Sequence, residues 1–196
     1  MSLKADVLVV NDHMLDAHAT LVAFEQVAPR ASVLHLIDGG EALQYLFSTG
    51  MFVGRAPILP HLVLLSLEMR SISGLCVLDM MRAHPLTKDV IVVLVSLEAP
   101  RRYRRHDRFD ANAYLTMPCD FPRYCAIIEG YVSRWLPAAL RPAEAWHHRA
   151  EVRSDAMSRS PLIDAMTRCG CGLPAERQQA TTTEFTRDGI ALASHA

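Results

Sequence analysis

Several polar residues directly follow runs of apolar residues, where their side chains could do chemistry. Asp12 offers a carboxylate there, and Ser66 and Ser96 offer hydroxyls. A serine becomes a nucleophile only beside a base, and His13 and His61 are the histidines that would serve Ser66 in a small hydrolase. The G-x-S-x-G turn of that enzyme class is absent around Ser66. The hydrolase is therefore a minor alternative, and we predict a protein that is not an enzyme.

The cysteines offer a second candidate centre. The chain contains Cys76, Cys119, Cys125, Cys169 and Cys171. An odd count without regular spacing does not indicate a disulfide framework. Cys169 and Cys171 could hold a metal or form a redox pair, but no second ligand pair with zinc-like spacing accompanies them. We predict reduced thiols and no metal.

Five short apolar runs predict the strands that position these side chains. Continuous runs rich in branched residues are typical of strands that are buried on both faces of a parallel sheet. The runs are residues 7–10, 33–37, 62–65, 90–95 and 113–115. Segments with helical periodicity alternate with them. We predict an α/β fold, a doubly wound five-stranded parallel sheet of the (βα)5 type, in which ligands bind at the carboxyl ends of the strands.

The first and last predicted helices have the clearest patterns. The first carries apolar residues at i, i+4, i+7 and i+11, which are Ala17, Leu21, Phe24 and Ala28. The last begins after Asp120, a suitable N-cap, and has Pro122 in its first turn. An apolar stripe then predicts that it continues to about Leu136.

Five stretches of sequence together resemble the receiver domains of two-component response regulators. They are "VLVVNDH", "DGGEALQYLF", "PHLVLLSLEMRSISGLCVL", "HPLTKDVIVVLVS" and "ANAYLTMPCD". The resemblance covers residues 5–136 and implies the flavodoxin-like receiver fold. The long connection "YLFSTGMFVGRAPILPHLVLL" is most similar to single-domain regulators associated with phytochromes.

The resemblance also implies a phosphorylation pocket, and several residues that the pocket needs are replaced. In the family an aspartate accepts a phosphoryl group with the help of Mg²⁺, a lysine and a hydroxyl. At the corresponding positions this sequence has Asn11, Asp12, Ser66, Ser96, Met117 and Pro118. Ser66 replaces the acceptor aspartate, Met117 the lysine, and Asn11 one acidic residue. We therefore predict a degenerate pocket, or pseudo-receiver.

The chemistry of these replacements sets further expectations. Serine cannot form an acyl phosphate, so we predict no phosphorylation on aspartate at Ser66. Mg²⁺ is held by carboxylates and other oxygens, and with Asp12 and Glu68 as weak candidates we expect weak or absent binding and no cofactor. Without phosphate, Ser96 is expected to cap a strand end. The family pattern also implies a cis bond between Met117 and Pro118.

A basic stripe lies on the predicted fourth helix. Its members are Arg101, Arg104, Arg105 and Arg108, at i, i+3, i+4 and i+7. A charge run is more often a solvated face, but in the family this helix belongs to the output and dimer surface. The resemblance therefore implies contact with a sensor histidine kinase, another response regulator or a second copy through the fourth and fifth helices. A net charge of -1 does not favour nucleic acid.

The remainder of the chain, residues 137–196, has few large apolar groups and is predicted to be a tail, partly helical or disordered. An apolar fraction of 51% without an apolar run of about 18 residues predicts a cytoplasmic protein rather than a membrane protein. The preferred function is a receiver-like module of a phosphorelay that acts by protein contact. Two alternatives are a phospho-switchable receiver that uses Glu68 or Asp12 as acceptor, and Ser66 as the target of a Ser/Thr kinase.

Overall fold

Five parallel strands form a sheet in the computed structural model, which describes residues 4–97 and 110–141. The strands are β1 (Val7–Val10), β2 (Val33–Leu36), β3 (Leu62–Ser66), β4 (Ile91–Ser96) and β5 (Ala113–Thr116). Their order is β2-β1-β3-β4-β5, and every neighbouring pair is parallel. The prediction of a doubly wound, flavodoxin-like sheet is confirmed.

Four α-helices pack on this sheet in the described part of the chain. They are α1 (Met14–Val27), α2 (Gly39–Phe47), α3 (Gly74–Ala83) and α4 (Phe121–Trp135), with short 3-10 turns at Gly50–Phe52 and Ala138–Leu140. α4 is the helix predicted as the fifth, because the predicted fourth helix falls in residues 98–109. Arg101, Arg104, Arg105 and Arg108 therefore lie outside the described residues, as do residues 142–196 with Cys169 and Cys171.

Alternate residues of each strand enter two separate hydrophobic clusters. On β3, Leu62 and Leu64 face a cluster with α1 and α4, whereas Val63 and Leu65 face a cluster with α2 and α3. All four are at most 2% exposed. Strands buried on both faces need apolar residues throughout, which explains the continuous runs in the sequence.

Side-chain caps define where three of the helices begin. Asp38 accepts from the Glu41 N–H at 2.8 Å at the start of α2, and Asp120 accepts from the Arg123 N–H at 3.0 Å at the start of α4. Ser73 caps α3 in the same way. The predicted cap at Asp120 is therefore confirmed.

Arg82 on α3 connects that helix to the amino ends of β4 and β5. Its guanidinium donates to the carbonyls of Lys88, Val90 and Asp110 at 2.9, 2.9 and 2.6 Å, and to Asn112 Oδ1 at 2.9 Å. The side chain is 11% exposed. Three carbonyls and an amide thus share one cation at this end of the sheet.

The expected cis bond between Met117 and Pro118 is wrong, because every peptide bond of the described residues is trans. The trans form of an X–Pro bond is more stable by about 0.5–1 kcal/mol. Met117 fits its place in that form. Its N–H donates to the Ser96 carbonyl at 2.9 Å, and its side chain packs in the cluster with α1 and α4.

Within residues 4–97 and 110–141, none of the helices combines the length and the apolar character that a membrane span requires.

Candidate functional site

A cavity of about 370 Å³ lies at the carboxyl ends of the strands. Five of the six predicted pocket residues line it, namely Asn11, Asp12, Ser66, Ser96 and Met117. Pro118, the sixth, follows Met117 and is half-buried. The fold therefore gathers the residues that the sequence had identified, as expected where parallel strands end at one edge of a sheet.

The two serines are the last residues of two neighbouring strands. Ser66 ends β3 and pairs with Val95, while Ser96 ends β4 and pairs with Thr116. The ladder continues past the strand end, where the N–H of Leu67 donates to the Val95 carbonyl at 2.8 Å. The two hydroxyls thus lie on main chain that is held firmly by its neighbours.

The Ser66 hydroxyl is directed toward its own main chain. Ser66 is 9% exposed, and its Oγ donates to the carbonyl of Glu68 at 3.2 Å. The main chain also packs tightly here, because a methyl group at position 74 would collide with the Ser66 carbonyl oxygen. Only glycine can start α3 this close to β3.

The two histidines considered as a base for Ser66 lie in different places. His61 precedes β3, and its N–H donates to the carbonyl of Asp6 at 2.8 Å, at the opposite edge of the sheet from the cavity. His13 lines the cavity. Its Nδ1 is 2.9 Å from Asp16 Oδ2, while the Ser66 hydrogen goes to a carbonyl. The geometry does not assemble a nucleophile with its base.

Asn11 and Asp12 are both bonded to main-chain N–H groups. Asn11 Oδ1 accepts from the His13 N–H at 2.8 Å. Asp12 Oδ2 accepts from the Arg70 N–H at 2.9 Å, and Arg70 Nε lies 3.7 Å from the same oxygen. The Arg70 side chain is 90% exposed, so the ion pair adds little. The hydrogen bond to the main chain is the defined contact.

The donor groups do not fit a Mg²⁺ site of the kind that the resembled family uses. Asp12 is already bonded to Arg70, Asp16 is paired with His13, and Glu68 is an exposed loop residue. Among the residues that the structure describes, no group of three or more His, Cys, Asp or Glu side chains could hold a metal ion. The described side chains therefore do not form the acidic cluster that the family uses to hold Mg²⁺.

Sequence reasoning missed Asp16, which lines the cavity from the first turn of α1. Burial raises the pKa of its carboxyl above the ordinary value, and this outweighs the lowering by His13 through charge and hydrogen bonding. The i, i+3 spacing of His13 and Asp16 was the available signal. Met69 and Arg70 also line the cavity and had no signal in the sequence.

Solved structures of bacterial regulators share this fold. Bacteriophytochrome response regulator RtBRR is 26% identical with a TM-score of 0.59, and the match covers 84% of this chain and 96% of that one. RPA3017, a response regulator in red light signaling of R. palustris, is also 26% identical with a TM-score of 0.59, over 70% of this chain and 98% of that one. Bacteriophytochrome response regulator AtBRR is 28% identical with a TM-score of 0.55, and the match covers 64% of this chain and 90% of that one.

A curated relative is similar in sequence. The probable methanogenesis regulatory protein FilR2 of Methanothrix harundinacea (strain 6Ac) is 32% identical over 133 residues, which are 66% of this chain and 83% of that protein. No family model matches the sequence.

Proposed function

The chain belongs to the receiver-domain family of response regulators, and from this we propose that it signals through protein contact with a pocket that is not phosphorylated on aspartate. A signalling role follows from its regulatory relatives. The proposal concerns how the signal is carried. The chain has a cavity where the family pattern places its pocket, with Ser66, Met117 and Asn11 in place of the acceptor aspartate, the lysine and one acidic residue, while Asp12 and Ser96 remain.

The position of Ser66 is the observation that carries the proposal. Ser66 ends β3 at the floor of the cavity, where the family has its acceptor. A hydroxyl cannot form an acyl phosphate, and without an adjacent base it is a poor nucleophile. This hydroxyl donates to the Glu68 carbonyl instead. The hydroxyl at the acceptor position therefore supports the start of the loop between β3 and α3.

Met117 and Asn11, like Ser66, are neutral residues at positions where the family has charged ones. A buried lysine without its carboxylate partner would cost several kcal/mol, whereas removal of both charges can be nearly neutral. Met117 is 8% exposed and packs in the core, and Asn11 is a neutral amide that is 7% exposed. The serine, methionine and asparagine together give a pocket that is stable without phosphate or metal. We propose weak or absent Mg²⁺ binding and no cofactor.

The proposed partners follow from the family. They are a sensor histidine kinase, another response regulator or a second copy, with contacts through the predicted fourth and fifth helices. We propose a cytoplasmic protein with no role for a membrane or nucleic acid. A receiver whose state does not depend on phosphate would bind such a partner constitutively.

An amide NMR titration tests the proposal, first with MgCl₂ and then with beryllofluoride, a phosphoryl mimic. We expect the resonances of Asp12, Ser66 and Ser96 to stay in place. The matched control is the triple variant Asn11→Asp, Ser66→Asp and Met117→Lys, which restores the family's residues and should respond. A saturable shift of the wild-type resonances that spreads beyond the cavity would overturn the proposal.

The two alternative mechanisms predict that the protein carries a phosphate. Phosphorylation of Asp12 or Glu68 would add a phosphate to the wild-type protein after incubation with acetyl phosphate, and mass spectrometry would detect it. A Ser/Thr kinase would need to reach a hydroxyl that is 9% exposed and already bonded. A phosphate found on Ser66 in protein isolated from cells would contradict the constitutive mechanism and indicate regulation by a kinase.

A further inference from the structure

We propose that Asp12 and the main-chain N–H of Arg70 form a metal-independent latch that holds the β3–α3 loop, residues 67–73, in one conformation. Such a latch goes beyond the proposed function, because it concerns the loop rather than phosphate. Either proposal can hold without the other. The starting point is that a carboxylate at the cavity accepts a hydrogen bond from the main chain of the loop.

The β3–α3 loop is fastened at both of its ends. At its start the N–H of Leu67 donates to the Val95 carbonyl at 2.8 Å. At its finish Ser73 caps α3, and the N–H of Gly74 donates to the Leu67 carbonyl at 3.3 Å.

Between these points the Glu68 carbonyl accepts from the Ser66 hydroxyl at 3.2 Å, and Met69 and Ile72 pack against the cluster with α2 and α3. A main-chain hydrogen bond at Arg70 adds an anchor at the centre of the loop, and without it this part of the loop would open locally at smaller cost.

Asp12 provides the anchor for the middle of the loop. It follows β1, and its Oδ2 accepts from the N–H of Arg70 at 2.9 Å, a contact between residues that are 58 positions apart. The Asp12 side chain is 21% exposed, so water partly screens it, but a hydrogen bond to a charged acceptor is stronger than a neutral one. The bond therefore connects the first turn after β1 to the middle of the β3–α3 loop.

The latch and a divalent cation would compete for the same carboxylate. A cation on Asp12 would lie beside an N–H donor and close to Arg70 Nε, which is 3.7 Å from Oδ2. Both neighbours are positive at the side that faces the oxygen, and like charges repel. A cation on Oδ2 would therefore weaken the bond to the Arg70 N–H or displace it. The loop thus holds the oxygen, Oδ2, that a cation at this position would have to share.

Hydrogen exchange at the Arg70 amide, followed by NMR, tests the latch directly. The variant Asp12→Ala removes the acceptor, and we expect exchange of the Arg70 amide to become at least about tenfold faster. The variant at the donor residue, Arg70→Ala, keeps the N–H and removes only the exposed guanidinium. Its amide should stay protected as in the wild type.

The Val92 amide and the addition of MgCl₂ provide two further tests of the latch. The Val92 amide, bonded to Asn112 Oδ1 at 2.8 Å away from the cavity, should not change in either variant, which excludes general unfolding. The latch is overturned if the wild-type Arg70 amide exchanges as in an unfolded chain, or if Asp12→Ala leaves it protected. It is also overturned if millimolar MgCl₂ deprotects it. The beryllofluoride response reports on the proposed function separately.

Discussion

The hydroxyl of Tyr124 on α4 lies 2.7 Å from the hydroxyl of Thr20 on α1. The Thr20 hydrogen goes to the carbonyl of Asp16 at 2.8 Å, which leaves Tyr124 as the donor of the pair. Tyr124 is 1% exposed, and burial raises the pKa of its phenol, so it stays protonated. A buried polar bond thus joins α4 to the helix whose first turn lines the cavity.

Replacement of Thr20 by valine should destabilise the protein by about 1–3 kcal/mol. The physical reason is that the Tyr124 hydroxyl would remain buried without its acceptor. Tyr124→Phe should cost less, about 0.5–1.5 kcal/mol, because Thr20 keeps its bond to Asp16. Urea unfolding of both variants measures the two free energies.

The double variant Thr20→Val with Tyr124→Phe serves as the control. It removes both hydroxyls, so it should be less destabilised than the sum of the single variants. Strict additivity would show that the two hydroxyls do not interact in solution.

Stability should depend on pH through Asp16. Its folded pKa is raised, chiefly by burial, so its contribution is fully present below the ordinary value of 3.8 and is lost as the pH rises through the folded pKa. Asp16→Asn cannot ionise and lacks this loss. The stability of Asp16→Asn relative to the wild type should therefore increase between pH 3 and neutral pH, measured by urea unfolding at each pH. A difference that stays constant with pH would contradict the raised pKa.

The three cysteines of the described residues should react very differently with iodoacetamide. Cys76 and Cys119 are exposed, whereas Cys125 is 0% exposed. Burial, with a smaller contribution from Asp120, raises the pKa of Cys125 to about 12, so its thiolate is scarce at pH 8.

A variant with Cys169 and Cys171 both changed to serine restricts the labelling to these three sites. Intact-mass measurement should show two adducts on the native protein and a third only after denaturation. Rapid native labelling of Cys125 would mean that α4 detaches from the core.

Two glycines in helices should give opposite results when replaced by alanine. Gly74→Ala should destabilise by about 1–3 kcal/mol or more, since its methyl group would collide with the Ser66 carbonyl. Gly130 lies within α4 with no atom near its missing side chain, so Gly130→Ala should stabilise by up to about 1 kcal/mol. Thermal unfolding of the pair provides the comparison. Equal effects would show that the space around Gly74 can adjust.

The sheet and helices could be predicted because local signals agree with tertiary burial. The run at residues 62–65 is continuously apolar, and all four of its residues are at most 2% exposed. Asp120 was recognisable as a cap because its role depends on residues within one helical turn. Ser66 and Met117 could be placed at the cavity because the fold brings all strand ends to one edge.

The remaining contacts depend on distances in space that the sequence does not encode locally. Asp12 meets Arg70 across 58 positions, and Thr20 meets Tyr124 across 104. The cis bond at Met117 was carried over from the family and was wrong, because the chain adopts the lower-energy trans form. Resemblance thus predicted the fold correctly, whereas this detail of the backbone was wrong.

The bonds of Arg82 also have a mechanical consequence for the sheet. They attach α3 to the amino ends of β4 and β5, where Asp110 and Asn112 are held. At the other end, the contact between Asp12 and the β3–α3 loop is more exposed, with the Asp12 side chain 21% exposed and that of Arg82 11% exposed. A force applied by a bound partner at the cavity rim would therefore bend the strands most at their carboxyl ends and least at Arg82. Stiffness in this domain should increase along β4 and β5 from the cavity toward Arg82.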